Sequence, residues 1–270
     1  MSATCSLLYG EVRDIFCPKL FIGRKSKESE MKKSTDLTQK LPAWWIVVLV
    51  PMGIVLTTLA YEFLRPEILV FKDFLGISQG RIFSLLLYTF STGIAVVVYF
   101  FLLRQNGLSF RKAGYRGTIS WEALIYTLVC VSIAIFIYPL IESLLKLLHI
   151  PMYWGAKISF PVQQKETQDI YWGVLTAVIL APLTEDTIFR GYVVEMFKER
   201  LGNWTTIAIS SLIFALVHLQ FFGPGLTIYM LVWSILTCFL YVKFNNIYPS
   251  LIFHGLNNIW AYIFVPMIFK

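Results

Sequence analysis

Apolar residues fall in seven long runs along the chain, with polar and charged residues gathered between them. The runs are Trp44 to Phe63, Ile82 to Leu103, Ala123 to Ile141 (extendable to Leu148), Ile170 to about Phe197, Trp204 to Leu219, Gly225 to Val242, and Pro249 to about Ile268. At about 1.5 Å of rise per residue most of them can cross a hydrocarbon layer of about 30 Å, and the fifth is short for the task. The pattern predicts an all-α polytopic membrane protein of about seven transmembrane helices. From Leu201 to Val242 no side chain carries a permanent charge, and Gly223-Pro224-Gly225 is the strong break. Residues 44–270 therefore read as one helical membrane domain. Residues 1–43 read as a basic segment without a clear helical period.

One run breaks the pattern. Ala181-Pro182-Leu183-Thr184-Glu185-Asp186-Thr187-Ile188-Phe189-Arg190-Gly191 puts two acids and an arginine where hydrocarbon is expected. A charge at the centre of a span costs about 2.5–3.5 kcal/mol on insertion scales, so such groups mark a protein interior or a water-filled cavity. The bland alternative is a helix emerging into water at Glu185. Partners elsewhere in the chain must decide.

Composition agrees with the runs: 57% of the 270 residues are hydrophobic and 14% charged, against about 25% charged in ordinary soluble domains. A net charge of +7 raises the question of nucleic acid, but much of the charge lies outside the apolar runs, and no zinc-ribbon spacing, RNA-binding aromatic signature or long basic helix accompanies it. Nucleic acid is not an expected partner; a lipid bilayer is. Loop Lys and Arg residues divide 15 against seven between the two sides of the seven-run topology, which places the N-terminus in the cytoplasm by the positive-inside rule. Met31-Lys32-Lys33-Ser34 resembles an alternative translation start. If residues 1–30 are not native, the bias falls to ten against seven. This start and the chain's size point to a bacterial cell membrane. Cys5, Cys17, Cys130 and Cys238 form no CxxC pair and predict neither a disulfide framework nor a thiolate metal site.

The three histidines divide unequally. His149 ends the third run beside a loop. His218 closes Phe214-Ala215-Leu216-Val217-His218, and His254 opens His254-Gly255-Leu256-Asn257-Asn258. Each alone is more often a satisfied core residue. Together with the acid pair, Arg190 and an asparagine on neighbouring apolar helices, they form a more specific constellation. Four-residue spacing puts Phe214 with His218, His254 with Asn258, and Asp186 with Arg190 on common helix faces. Asn257 competes with Asn258.

Three motifs thus occur in order: Glu-Asp-x-x-x-Arg, Phe-x-x-x-His and His-x-x-x-Asn. They resemble the family of intramembrane CAAX-processing and bacteriocin-processing proteases (CPBP or Abi). Ala181, Pro182, Glu185, Arg190 and Gly191 match its first motif, Phe214 and His218 its second, His254 and Asn258 its third. The resemblance covers about residues 170–262, the protease-like core. Asp186 departs from the second glutamate usual in the family. Asp suffices there if the residue anchors Arg190 or orients a neighbour, and fails if it must reach the water or a metal.

The resemblance implies an intramembrane endopeptidase acting on a membrane-associated, prenylated or secreted peptide. It marks Glu185 as catalytic. Residue chemistry makes Glu185 the candidate general base, with His218 positioning the same water. His254 and Asn258 are candidate oxyanion donors, a role in which one donor is worth about 2.7–4 kcal/mol. Asp186 and Arg190 would form a supporting pair, and Phe214 would pack beside the pocket. This reading requires no cofactor. A zinc version remains open, with Glu185, His218 and His254 as a His₂Glu ligand set, although no His-Glu-x-x-His motif is present. Two further functions compete: a catalytically inactive immunity or regulatory protein that binds a peptide, and a proton-coupled transporter. The transporter lacks the expected duplicated, broken-helix architecture.

Overall fold

The computed structural model describes residues 55–56, 59–76, 79–97, 109–152 and 167–265, and no strand occurs among them. The basic segment 1–43, the Met31 start and much of the first apolar run lie outside the described residues.

Helix α1 spans Arg65–Leu75 and α2 spans Gln79–Val97. α3, Trp121–Leu147, begins where Ser120 accepts a hydrogen bond from the amide of Ala123 at 3.1 Å, with Glu122 in the first turn and Lys146 in the last. This capping pattern satisfies an otherwise orphaned amide and complements the helix dipole. A long interrupted helix follows. It comprises α4 (Thr167–Val174), a π-helical segment (Leu175–Leu180), α5 (Ala181–Asp186), a second π-helical segment (Thr187–Val194) and α6 (Glu195–Leu201). Then come α7 (Asn203–Phe222), α8 (Pro224–Phe244) and α9 (Tyr248–Ile259), the last ending in a π turn over Trp260–Phe264.

The corners are tight. Gly202 (φ 74°) alone separates α6 from α7, and Gly223 (φ 86°) alone separates α7 from α8. Both occupy the positive-φ region that glycine enters without a Cβ clash, and Pro224 starts α8 at a position where a missing N–H is harmless. α7 and α8 consequently pack along each other, while α3 lies against α8 and α9. α8 buries Gly225, Tyr229, Trp233, Thr237 and Tyr241, a four-residue repeat that is one helical face. Hydroxyl groups stitch the interior: Ser210 donates to the Phe189 carbonyl at 3.2 Å and Ser250 to the Thr237 carbonyl at 3.0 Å. Such bonds between membrane helices contribute about 0.6 kcal/mol each.

Three helices among the described residues are long and apolar enough to cross a membrane: Trp121–Leu147, Tyr171–Val194 and Pro224–Phe244. They correspond to the third, fourth and sixth apolar runs. Arg81–Phe90 and Asn203–Leu219, the latter holding the fifth run, are shorter apolar helices. Only 17% of the apolar window of α3 is buried, and its exposed residues include Trp121, Phe136, Leu140 and Leu147. A helix so apolar and so uncovered belongs in lipid.

Candidate active site

The site is built on the interruption of the long helix. π segments are frequent at functional sites, where the extra residue in the turn redirects side chains. Here the local cause is legible. The Ala181 amide bonds to the carbonyl of Thr176 rather than that of Ala177. Pro182, next in line, has no N–H to give. The Ala177 carbonyl thus loses both of its usual helical donors. Asn258 replaces them, donating from Nδ2 at 2.7 Å. The same approach brings Gly255 against this segment, where an added Cβ would stand 3.3 Å from the Val178 carbonyl oxygen. The Ala-Pro of the first motif and the His-x-x-x-Asn of the third are therefore complementary parts of one helix contact. The sequence pattern assigns Asn258 to an oxyanion; in the fold one donor of its amide is directed at the Ala177 carbonyl. Asn257 faces α8, accepting from the Tyr229 hydroxyl at 3.2 Å.

Asp186 and Arg190 lie one turn below, both fully buried and 3.1 Å apart (Oδ1 to Nη1). Arg190 also donates from Nη2 to Ser234 at 2.8 Å, and its guanidinium sits 4.4 Å from the centre of the Phe214 ring and 5.5 Å from that of Trp233. An ion pair on one side and aromatic faces on the other can hold a cation in a dry interior. The other oxygen of Asp186, Oδ2, lies 3.5 Å from Nδ1 of His254. The short acid thus touches both Arg190 and His254.

Glu185 points elsewhere. Its Oε2 lies 3.9 Å from Nε2 of His218 and 3.9 Å from Nε2 of His254, while its Oε1 faces the hydroxyl of Tyr88 at 3.5 Å. The carboxylate is 19% exposed, whereas Asp186 is sealed. Two consecutive acids therefore have different surroundings. His218 is held by a 2.7 Å bond between Nδ1 and the Phe214 carbonyl. A carbonyl only accepts, so Nδ1 carries a proton, and in the neutral tautomer Nε2 offers a lone pair toward Glu185. His254 is seated edge-on against Trp233, with ring centres 4.6 Å apart.

Glu185, Asp186, Arg190, His218 and His254 converge, and Phe214 lies beneath them as packing. Separations of 3.9 Å are wide for zinc, whose bonds of about 2.0–2.2 Å place tetrahedral donors roughly 3.3–3.6 Å apart. No group of three His, Cys, Asp or Glu among the described residues is arranged to hold a metal ion. Residues outside the constellation behave as fillers or surface: Cys130 and Cys238 are buried free thiols, and His149 is exposed at the end of α3. Sequence reading missed Tyr88, Trp233 and Ser234. They belong to no motif, and nothing in an uncharged apolar run distinguishes a site residue from its neighbours.

Residues 167–260 match the family model described as type II CAAX prenyl endopeptidase Rce1-like. Over these residues, about a third of the chain, it is similar to the Rce1-like family. The matched residues contain all three motifs, so the Rce1-like segment coincides with the interrupted helix, α7, α8 and α9. The chain is also similar to an uncharacterized 24.3 kDa protein of Escherichia coli, 39% identical over 59 residues, which are 21% of this chain and 27% of that one. The chain thus spans about a quarter of that relative's length. No solved structure matches the chain.

Proposed function

We propose that this protein is an intramembrane endopeptidase that hydrolyses a peptide bond with a water held between Glu185 and His218. The observation that supports this reading most strongly is the placement of Glu185 Oε2 at 3.9 Å from Nε2 of both His218 and His254. That distance is long for a direct hydrogen bond, and one water can touch both sides of it. Glu185 Oε2 and His218 Nε2 are both acceptors, so a water there points its protons at them and its lone pair outward.

The chemistry follows. The water oxygen attacks the scissile carbonyl carbon as Glu185 takes one of its protons. The carbonyl oxygen becomes an oxyanion beside His254, whose Nε2 donates to it when the ring is protonated. Asp186 Oδ2 lies 3.5 Å from the opposite ring nitrogen and orients the ring. The intermediate collapses by breaking the C–N bond, and Glu185 returns its proton to the leaving nitrogen. Arg190 neutralises Asp186 and holds it in place. In this reading the chain crosses the bilayer about seven times with its N-terminus in the cytoplasm of a bacterial cell. The matched family's name makes a prenylated CAAX peptide the first substrate class to try; a secreted peptide precursor and a membrane-protein segment are the others.

The test compares peptide termini in membranes from cells expressing wild type, Glu185→Gln or His218→Ala at matched abundance. Termini present with wild type should vanish in both variants, since a general base contributes about 10²–10⁴-fold. Identical termini in all three would sink the hydrolytic reading and favour a peptide-binding protein. Loss of wild-type cleavage on chelation, with recovery on added zinc, would instead favour the His₂Glu arrangement.

A further inference from the structure

We propose that Tyr88 on α2 is a positioning residue for the Glu185 carboxylate, holding Oε1 so that Oε2 stays turned toward the two imidazoles. The proposal rests on the hydrolytic reading of Glu185 and adds a residue outside the three motifs and outside the matched segment.

The geometry is a division of labour across one carboxylate. Oε1 faces the phenol at 3.5 Å, and Oε2 faces His218 and His254. The last torsion of a glutamate is broad and roughly two-fold, so the carboxylate plane turns easily unless something holds it. His218 and His254 both lie on the Oε2 side. Among the described residues, Tyr88 is a hydrogen-bonding side chain on the Oε1 side. A phenol donates one hydrogen bond, and a carboxylate only accepts, so the polarity of the contact is set.

A second contact fixes the aim of α2. Arg81, itself buried, donates from Nη1 to Thr176 Oγ1 at 3.4 Å. Arg81 and Tyr88 are seven residues apart, two helical turns, and share a face about 10.5 Å long. Thr176 and Glu185 are nine residues apart in the same direction on the interrupted helix. α2 therefore runs parallel to that helix with a polar contact at each end, and it packs against both the first π segment and α5. Rotation of α2 would break both contacts together. The phenol is thus presented to Glu185 by a docked helix rather than by a loop.

The experiment uses the full-length protein in lipid vesicles and a fluorogenic peptide carrying the cleavage site found in the terminus comparison. Tyr88→Phe keeps the ring and removes the donor. The expected result is a fall in kcat of about tenfold, the scale of one hydrogen bond to a charged group, with KM within about twofold of wild type. Infrared spectroscopy supplies a readout independent of turnover. The carboxylate band identified by its loss in Glu185→Gln should shift in Tyr88→Phe, because the stretch reports the hydrogen bond directly. An unshifted band overturns the proposal whatever the kinetics show. Unchanged kcat in Tyr88→Phe, alongside an inactive Glu185→Gln, also overturns it while leaving the hydrolytic reading intact. A raised KM at unchanged kcat would make Tyr88 a substrate-binding group and overturn it as well. Full cleavage by Glu185→Gln would instead refute Glu185 as the general base on which the proposal rests.

Discussion

Arg190→Met is the substitution whose outcome the structure defines best. In the wild type the guanidinium is fully buried. It pairs with an equally buried Asp186 at 3.1 Å, donates to Ser234 at 2.8 Å and lies 4.4 Å from the Phe214 ring centre. Methionine fills much of the same volume but strands the Asp186 charge. Breaking a buried pair from one side costs about 3–5 kcal/mol, because an uncompensated charge remains in the interior. For a domain of this size that corresponds to a fall in Tm of roughly 6–20 °C. Thermal unfolding in a mild detergent, followed by tryptophan fluorescence, measures it. The double variant Asp186→Leu with Arg190→Met removes both charges. It should recover most of the loss, since a buried pair replaced by apolar groups is often neutral or stabilising by about 1–4 kcal/mol. The recovered protein should still cleave poorly, because the carboxylate 3.5 Å from His254 Nδ1 is gone. Stability and activity would then part company. If the single variant unfolds within about 1 kcal/mol of wild type, or if the double variant shows only the sum of the single losses, the pair is not the energetic centre inferred here.

Two further outcomes follow from the same geometry. Asp186→Glu, which restores the acid usual in the family, should lower rather than raise cleavage: both carboxylate oxygens already meet partners in a sealed space, and an extra methylene there costs about 1–3 kcal/mol in overpacking. A gain in kcat/KM would refute this. Asn258→Ala should destabilise the fold by about 1–3 kcal/mol by leaving the Ala177 carbonyl without its donor; Tm unchanged with cleavage lost would return Asn258 to the oxyanion role.

Much of the molecule follows from local pattern. Apolar runs longer than a bilayer's thickness, cut by Gly202, Gly223-Pro224 and Asn245, commit the chain to helices joined by tight corners, because in lipid the backbone must satisfy its own hydrogen bonds. The Asp186–Arg190 pair is equally local, for four residues is one helical turn. Motif order brought Glu185, His218 and His254 to notice, and the structure gathers those three around one gap. Tertiary packing decided the rest. Which oxygen of Glu185 faces the histidines, and that Asp186 touches both Arg190 and His254, depend on the rotation of α7 and α9 against the interrupted helix. The partner of Asn258 depends on a carbonyl orphaned by the π segment and Pro182 some 80 residues earlier in the chain. Tyr88 enters from α2, 97 residues before Glu185. Such contacts have no sequence signature, because an apolar helix in lipid can pack at many rotations. Only side chains meeting from different helices select one of them.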